Sequence, residues 1–100
     1  MEITLAFQND KTLEIQLDGR LDTDSAPVLS AKIQELPEGV TTIILDLARL
    51  RYISSAGLRV LIQIKKKLDE VDGELVIRNA DNRILDVFSM TGFDSLLKIE

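Results

Sequence analysis

An α/β fold is predicted, with a mixed β-sheet that opens as an N-terminal antiparallel hairpin, continues as parallel strands and is flanked by α-helices. Three observations predict it. Two early runs alternate apolar and polar residues with the period of two that suits a strand with one buried face. A later apolar run, Ile43, Ile44, Leu45 and Leu47, broken only by Asp46, reads as a central strand buried on both faces. From that strand onward, strand-like runs alternate with stretches of helical periodicity, an order that demands parallel strands joined by helical crossovers.

Taken in order, Ile3, Leu5 and Phe7 alternate with Glu2, Thr4 and Ala6, and Leu13, Ile15 and Leu17 alternate with Thr12, Glu14 and Gln16. Gln8-Asn9-Asp10-Lys11 supplies the turn residues between them, which makes the pair a hairpin. Gly19 is expected to end the second strand. The capping residues between Asp18 and Ser25, with Pro27 in a first helical turn, then predict a helix from about Asp24. Its apolar face carries Val28, Leu29, Ile33 and Leu36, and Pro37-Glu38-Gly39 stops it. After the central strand and a short turn, Ser54-Ser55-Ala56-Gly57 opens a second helix with Leu58, Leu61, Ile62 and Leu68 inward, ending near Asp72-Gly73. Leu75 to Ile77 form another strand. Asn79-Ala80-Asp81 lead into a third helix carrying Ile84, Leu85, Val87 and Phe88, which Thr91-Gly92-Phe93-Asp94 breaks. Phe88, Met90 and Phe93 are expected to complete the core, and Leu96 to Ile99 to add a short last strand.

A chain of 100 residues suits one domain, residues 1–100, that buries roughly 65% of its unfolded surface. No apolar run approaches the ~20 residues needed to cross a bilayer, so no membrane association is expected. Acidic Glu2 stands where a secretory signal has basic residues, and there is no cysteine, so the cytoplasm is the expected location. Without histidine or cysteine the chain lacks the usual zinc ligands, imidazole base and thiol nucleophile; no metal, cofactor or catalytic residue is expected. A net charge of -5 argues against a nucleic-acid partner, which selects basic surfaces. Arg59 with Lys65, Lys66 and Lys67 reads as a solvated helix face whose cations suit the helix C-terminal half. An acidic monomer that meets a protein partner fits these constraints.

The stretch that carries chemistry is Ser54-Ser55-Ala56-Gly57. A serine at a helix start caps the free N–H groups, binds an anion or carries a phosphate, and spacing alone favours the cap. Gly57 adds a hint of close approach to the backbone, because a glycine inside a helix costs about 1 kcal/mol against alanine. Asp22 alone reads as a helix-start carboxylate and Asp46 as a hydrogen-bonded structural one or an acid for chemistry.

Tyr52-Ile53-Ser54-Ser55-Ala56-Gly57-Leu58, directly after a strand ending Leu45-Asp46-Leu47, resembles the signature of the STAS domain, the family of bacterial anti-sigma-factor antagonists and sulphate-transporter tails. Gly19-Arg20-Leu21-Asp22 followed by Ala26-Pro27 resembles the family's turn into its first helix, and Thr91-Gly92-Phe93 the end of its last. The resemblance implies a phosphoacceptor at Ser55, with Ser54 as its rival. Ser54 stands where many members carry aspartate, and Ala56 where serine or threonine is frequent. It further implies a partner-binding surface of Asp22, Thr23, Ser54, Ser55, Ala56, Gly57, Leu58 and Arg59, with Asp22 near Ser55 at one edge of the sheet. The implied function is that of an anti-sigma-factor antagonist. Unphosphorylated, it binds an anti-sigma factor that is also a serine kinase; phosphorylation of Ser55 releases it, and a serine phosphatase resets the switch. The protein is then a substrate rather than an enzyme, and a free-standing antagonist rather than a transporter tail. Two other readings stand beside this one. A domain sensing a small anion or nucleotide at the Ser54–Leu58 backbone would need a pocket there; an enzyme using Asp22 or Asp46 with a serine would lack a histidine base.

Overall fold

The first hairpin forms where the period-two runs put it. In the computed structural model, which describes residues 1–100, β1 (Glu2–Phe7) pairs antiparallel with β2 (Thr12–Leu21). Asn9 holds the turn, its Oδ1 accepting the N–H groups of Lys11 at 2.8 Å and Thr12 at 3.0 Å. β2 then pairs parallel with β3 (Thr42–Ile53), β3 with β4 (Glu74–Arg78), and β4 with a two-residue β5 (Lys98–Ile99). The strands lie across the sheet in sequence order. Helices α1 (Ala26–Gln34), α2 (Ser55–Asp69) and α3 (Asn82–Thr91) supply the connections, and a 3-10 turn at Phe93–Leu96 leads into β5. This is the α/β fold the patterning predicts, in one domain.

The core is one layer between the sheet and the helices. Leu13, Ile15 and Leu17 of β2, Ile43, Leu45 and Leu47 of β3, and Leu75 and Ile77 of β4 join one buried cluster with Leu29, Ile33, Val60, Leu61, Ile64, Leu68, Ile84, Phe88 and Phe93. The opposite sheet face is polar, with Thr4, Gln16, Asp46 and Arg78 in register across it. On that face Ile44 and Val76 are buried outside the cluster, sheltered by neighbouring strands. β3 is therefore not covered by helices on both faces. Apolar residue type cannot distinguish those two kinds of shelter.

Several expectations need correction. Leu5 and Phe7 are 38% and 52% exposed, because β1 is an edge strand beyond the helical cover and only Ile3 reaches the core. β2 continues past Gly19, whose φ of +113° is open to glycine at no steric cost. α1 starts at Ala26 rather than Asp24, since residues 22–25 form a separate turn, and ends at Gln34. Val28 lies off the Ala26–Leu29–Ile33 face and is exposed. Met90 is 86% exposed, so only Phe88 and Phe93 complete the core, packed edge-to-face with ring centroids 5.5 Å apart.

The largest correction concerns β3. It runs to Ile53, with no turn before α2, and its pairing with β2 shifts register twice, each shift adding one residue on the β3 side: Gln16↔Asp46 gives way to Asp18↔Arg49, and Gly19↔Leu50 to Arg20↔Tyr52. These bulges re-phase the strand. Leu50 and Ile53 turn into the core while Arg49, Arg51 and Tyr52 stay exposed. Asp46 supports the first bulge, accepting the Ala48 N–H at 3.0 Å and Asn79 Nδ2–H at 3.1 Å, which gives that carboxylate a structural task. No helix is long and apolar enough to cross a membrane.

Candidate functional site

β2 and β3 end side by side. Leu21 pairs with Ile53, and the next N–H, that of Ser54, donates to the Leu21 carbonyl at 2.9 Å. The Asp22–Ser25 turn and the start of α2 therefore leave adjacent strands at the same edge, which is the juxtaposition that partner binding through both segments requires.

The two serines have different engagements. Ser54 is the N-cap of α2, with extended backbone; its Oγ accepts the Gly57 N–H at 3.3 Å and its carbonyl accepts the Leu58 N–H at 2.9 Å. Ser55 is the first helical residue and is exposed, and its hydroxyl makes no hydrogen bond within the protein. Gly57 is buried beneath them. A Cβ at that position would lie 2.8 Å from Leu21 Cγ, 2.9 Å from Ile53 Cγ1 and 2.9 Å from the Leu21 carbonyl oxygen. The close approach that this glycine signals is thus between α2 and the ends of its own strands. Ala56 and Leu58 are half-buried and pack on the core, while Arg59 is exposed and has no carboxylate partner.

Asp22 builds the neighbouring turn. Its Oδ1 accepts the N–H groups of Asp24 at 3.0 Å and Ser25 at 3.1 Å. Ser25 Oγ accepts the Asp22 N–H at 2.9 Å and donates to the Arg20 carbonyl at 2.7 Å. The hydrogen bond from the Ser25 backbone, above all, holds the Asp22 carboxyl below its ordinary range, with help from Asp24, the Ser25 hydroxyl and the Arg20 charge. Asp22 is half-buried and Thr23 exposed. One contact at this edge joins two residues of the sequence motifs that were not singled out for the site: the Arg20 guanidinium stacks over the Tyr52 ring, 4.2 Å from its centroid. The two are cross-strand neighbours only because of the second β3 bulge, so no spacing rule could have found them.

None of the five principal surface depressions is lined by any residue from Ser54 to Leu58. An open groove of about 670 Å³ is lined by the Asp22 turn itself, with Asp22, Asp24 and Ser25 beside Ile3, Arg20 and Arg51. The basic cluster of α2 divides: Lys67 Nζ donates to the Ile33 carbonyl at 2.9 Å, tying α2 to α1, and Lys65 pairs with Asp69.

The sequence profile described as "Mlab, STAS domain" matches residues 5–98. BtrV of Bordetella bronchiseptica is 38% identical over 84 residues, 83% of this chain and 72% of that protein. The anti-sigma-B factor antagonist of Bacillus subtilis is 29% identical over 92 residues, 92% of this chain and 84% of that one. Among solved structures, the anti-sigma factor antagonist SpoIIAA in its unphosphorylated form superposes with a TM-score of 0.79 at 25% identity, covering 99% of this chain and 87% of that chain. SpoIIAA of Bacillus in the phosphorylated form gives 0.80 at 26%, covering 99% and 91%.

Proposed function

This chain belongs to the STAS domain family, and from that premise we propose that it is an anti-sigma-factor antagonist switched by phosphorylation of Ser55. Residues 1–100 act as one STAS domain, a cytoplasmic monomer. Unmodified, it binds an anti-sigma factor through the Asp22–Thr23 turn and the exposed part of the Ser54–Arg59 helix start. That partner doubles as a serine kinase. The Ser55 Oγ attacks the γ-phosphorus of ATP, the bond to the bridging oxygen of ADP breaks, and the hydroxyl proton passes to a base of the kinase. A phosphatase later hydrolyses the ester and restores the hydroxyl. The protein is a substrate throughout, not a catalyst.

The observation that carries this reading is the difference between the serines: the Ser55 hydroxyl is exposed and free of internal hydrogen bonds, whereas that of Ser54 caps the helix. The relatives' names and the two forms of SpoIIAA support the same direction.

The switch follows from charge. A phosphoserine carries about -1.5 to -2 charges, which the start of a helix accommodates through its dipole and free N–H groups. That local gain is only ~0.3 to 1 kcal/mol, so the modification leaves the fold in place. A partner carboxylate ~4 Å away is repelled by about 4 kcal/mol per added charge at an effective dielectric of 20. Since 1.4 kcal/mol is tenfold in affinity, even half of that repulsion releases the complex.

Incubation with the candidate kinase and ATP, followed by mass-spectrometric mapping, tests the assignment. Phosphate is expected on Ser55. Modification of Ser54 alone would overturn the acceptor, and none on either serine would remove the switch.

A further inference from the structure

We infer that Arg59 is the internal partner of the phosphate on Ser55, so that phosphorylation also withdraws a cation from the partner-facing surface. The inference rests on the reading of Ser55 as phosphoacceptor and adds to it the fate of the group once attached.

Four of the six arginines already face a carboxylate: Arg20 with Asp22, Arg49 with Asp18, Arg78 with Glu100 and Arg83 with Asp81. Arg59 does not. Its helical neighbours three and four residues away are Ser55, Ala56, Ile62 and Gln63, none of them acidic. Its exposed guanidinium therefore has no counter-ion on its own helix until one is made at Ser55. Ser55 is four residues before it, and both are exposed. Residues so spaced have Cβ atoms about 5–6 Å apart, within reach of an arginine, and an anion on the N-terminal side of the cation is the favourable order. A phosphate offers the guanidinium two parallel hydrogen bonds, a geometry lysine cannot reproduce.

In the adjoining turn, Asp22 is engaged by its own backbone, by Ser25 and by Arg20, and Arg20 is further held on Tyr52. The geometry also separates the two serines. Ser54 is five residues from Arg59, off its helical face, and its oxygen already serves the cap. Before modification the surface presents a free arginine beside a neutral hydroxyl; afterwards it presents a closed pair with excess negative charge. A partner that used Arg59 loses that contact and meets repulsion in one event. An aspartate at position 55 is shorter and singly charged, so Ser55→Asp reproduces only part of the change.

The test places phosphoserine genetically at position 55 of the full chain, so that no kinase is needed. The phosphate is titrated by phosphorus NMR with Arg59 present, in Arg59→Gln and in Arg59→Lys. With Arg59, the second ionisation is expected about 0.15–0.4 unit lower than in Arg59→Gln, with Arg59→Lys between them. Thermal melts of the unphosphorylated forms check that the fold is common to all three. Identical titrations with and without the arginine would overturn the inference. Failure of the kinase to modify Ser55 in the separate mapping assay would count instead against the functional reading, and would leave the titration result standing.

Discussion

Ser54 and Ser55 are adjacent and chemically identical, and the fold gives them different work. Ser54→Ala removes the cap and is expected to cost about 0.5–2 kcal/mol, read by chemical denaturation, while phosphate still maps to Ser55. Loss of modification at Ser55 in this variant would mean the two serines act as a unit. Asp22 yields a pH prediction. Its folded pKa lies below the ordinary 3.8, so its stabilisation is present above that value and is lost as pH falls through the lower, folded one. Wild type should therefore lose more stability than Asp22→Ala between about pH 5 and pH 2, measured by urea melts. Parallel curves would deny the turn its carboxylate. The cap at Ser54 was legible in the sequence, because capping depends on a local pattern. The task of Asp22 was half legible: a run of capping residues marked a helix start, but the turn before Ala26 depends on Ser25 reaching back to the Arg20 carbonyl, which no local rule predicts.

At the scale of the elements, the junction of β2, β3 and α2 is set by Gly57. Alanine there gains up to about 1 kcal/mol of helix propensity. Its Cβ would also come within 3.0 Å of Leu21 Cγ, Ile53 Cγ1 and the Leu21 carbonyl oxygen. Overpacking of that kind costs about 1–3 kcal/mol. Gly57→Ala is thus expected to lower the melting temperature and to weaken partner binding by shifting the helix start; a melting temperature above wild type would show the junction to be loose. The sequence marked the close approach but not its source, since Leu21 lies 36 residues away in a strand expected to end at Gly19. The first half of β3 was legible from its apolar run. The second half was not, because two bulges break the period of two and leave a pattern that matches neither strand nor helix.

At the scale of the whole molecule, strand and helix alternation was enough to give the order of elements and the mixed sheet. The one-sided helical layer was hidden, because Ile44 and Val76 look the same in sequence whether helices or neighbouring strands shelter them. If the exposed Ser55 at this edge is the acceptor proposed above, a charge added there changes association and not folding. Ser55→Asp should keep the circular dichroism spectrum and shift stability by no more than about 1 kcal/mol. Unfolding of that variant would move the switch from the interface to the fold. The most direct measurement is calorimetric titration of the anti-sigma partner with the unmodified protein and with the same chain carrying phosphoserine at position 55. Binding by the unmodified form, weakened at least tenfold by the phosphate with the fold intact, is the expected result; equal affinity of the two forms would contradict it.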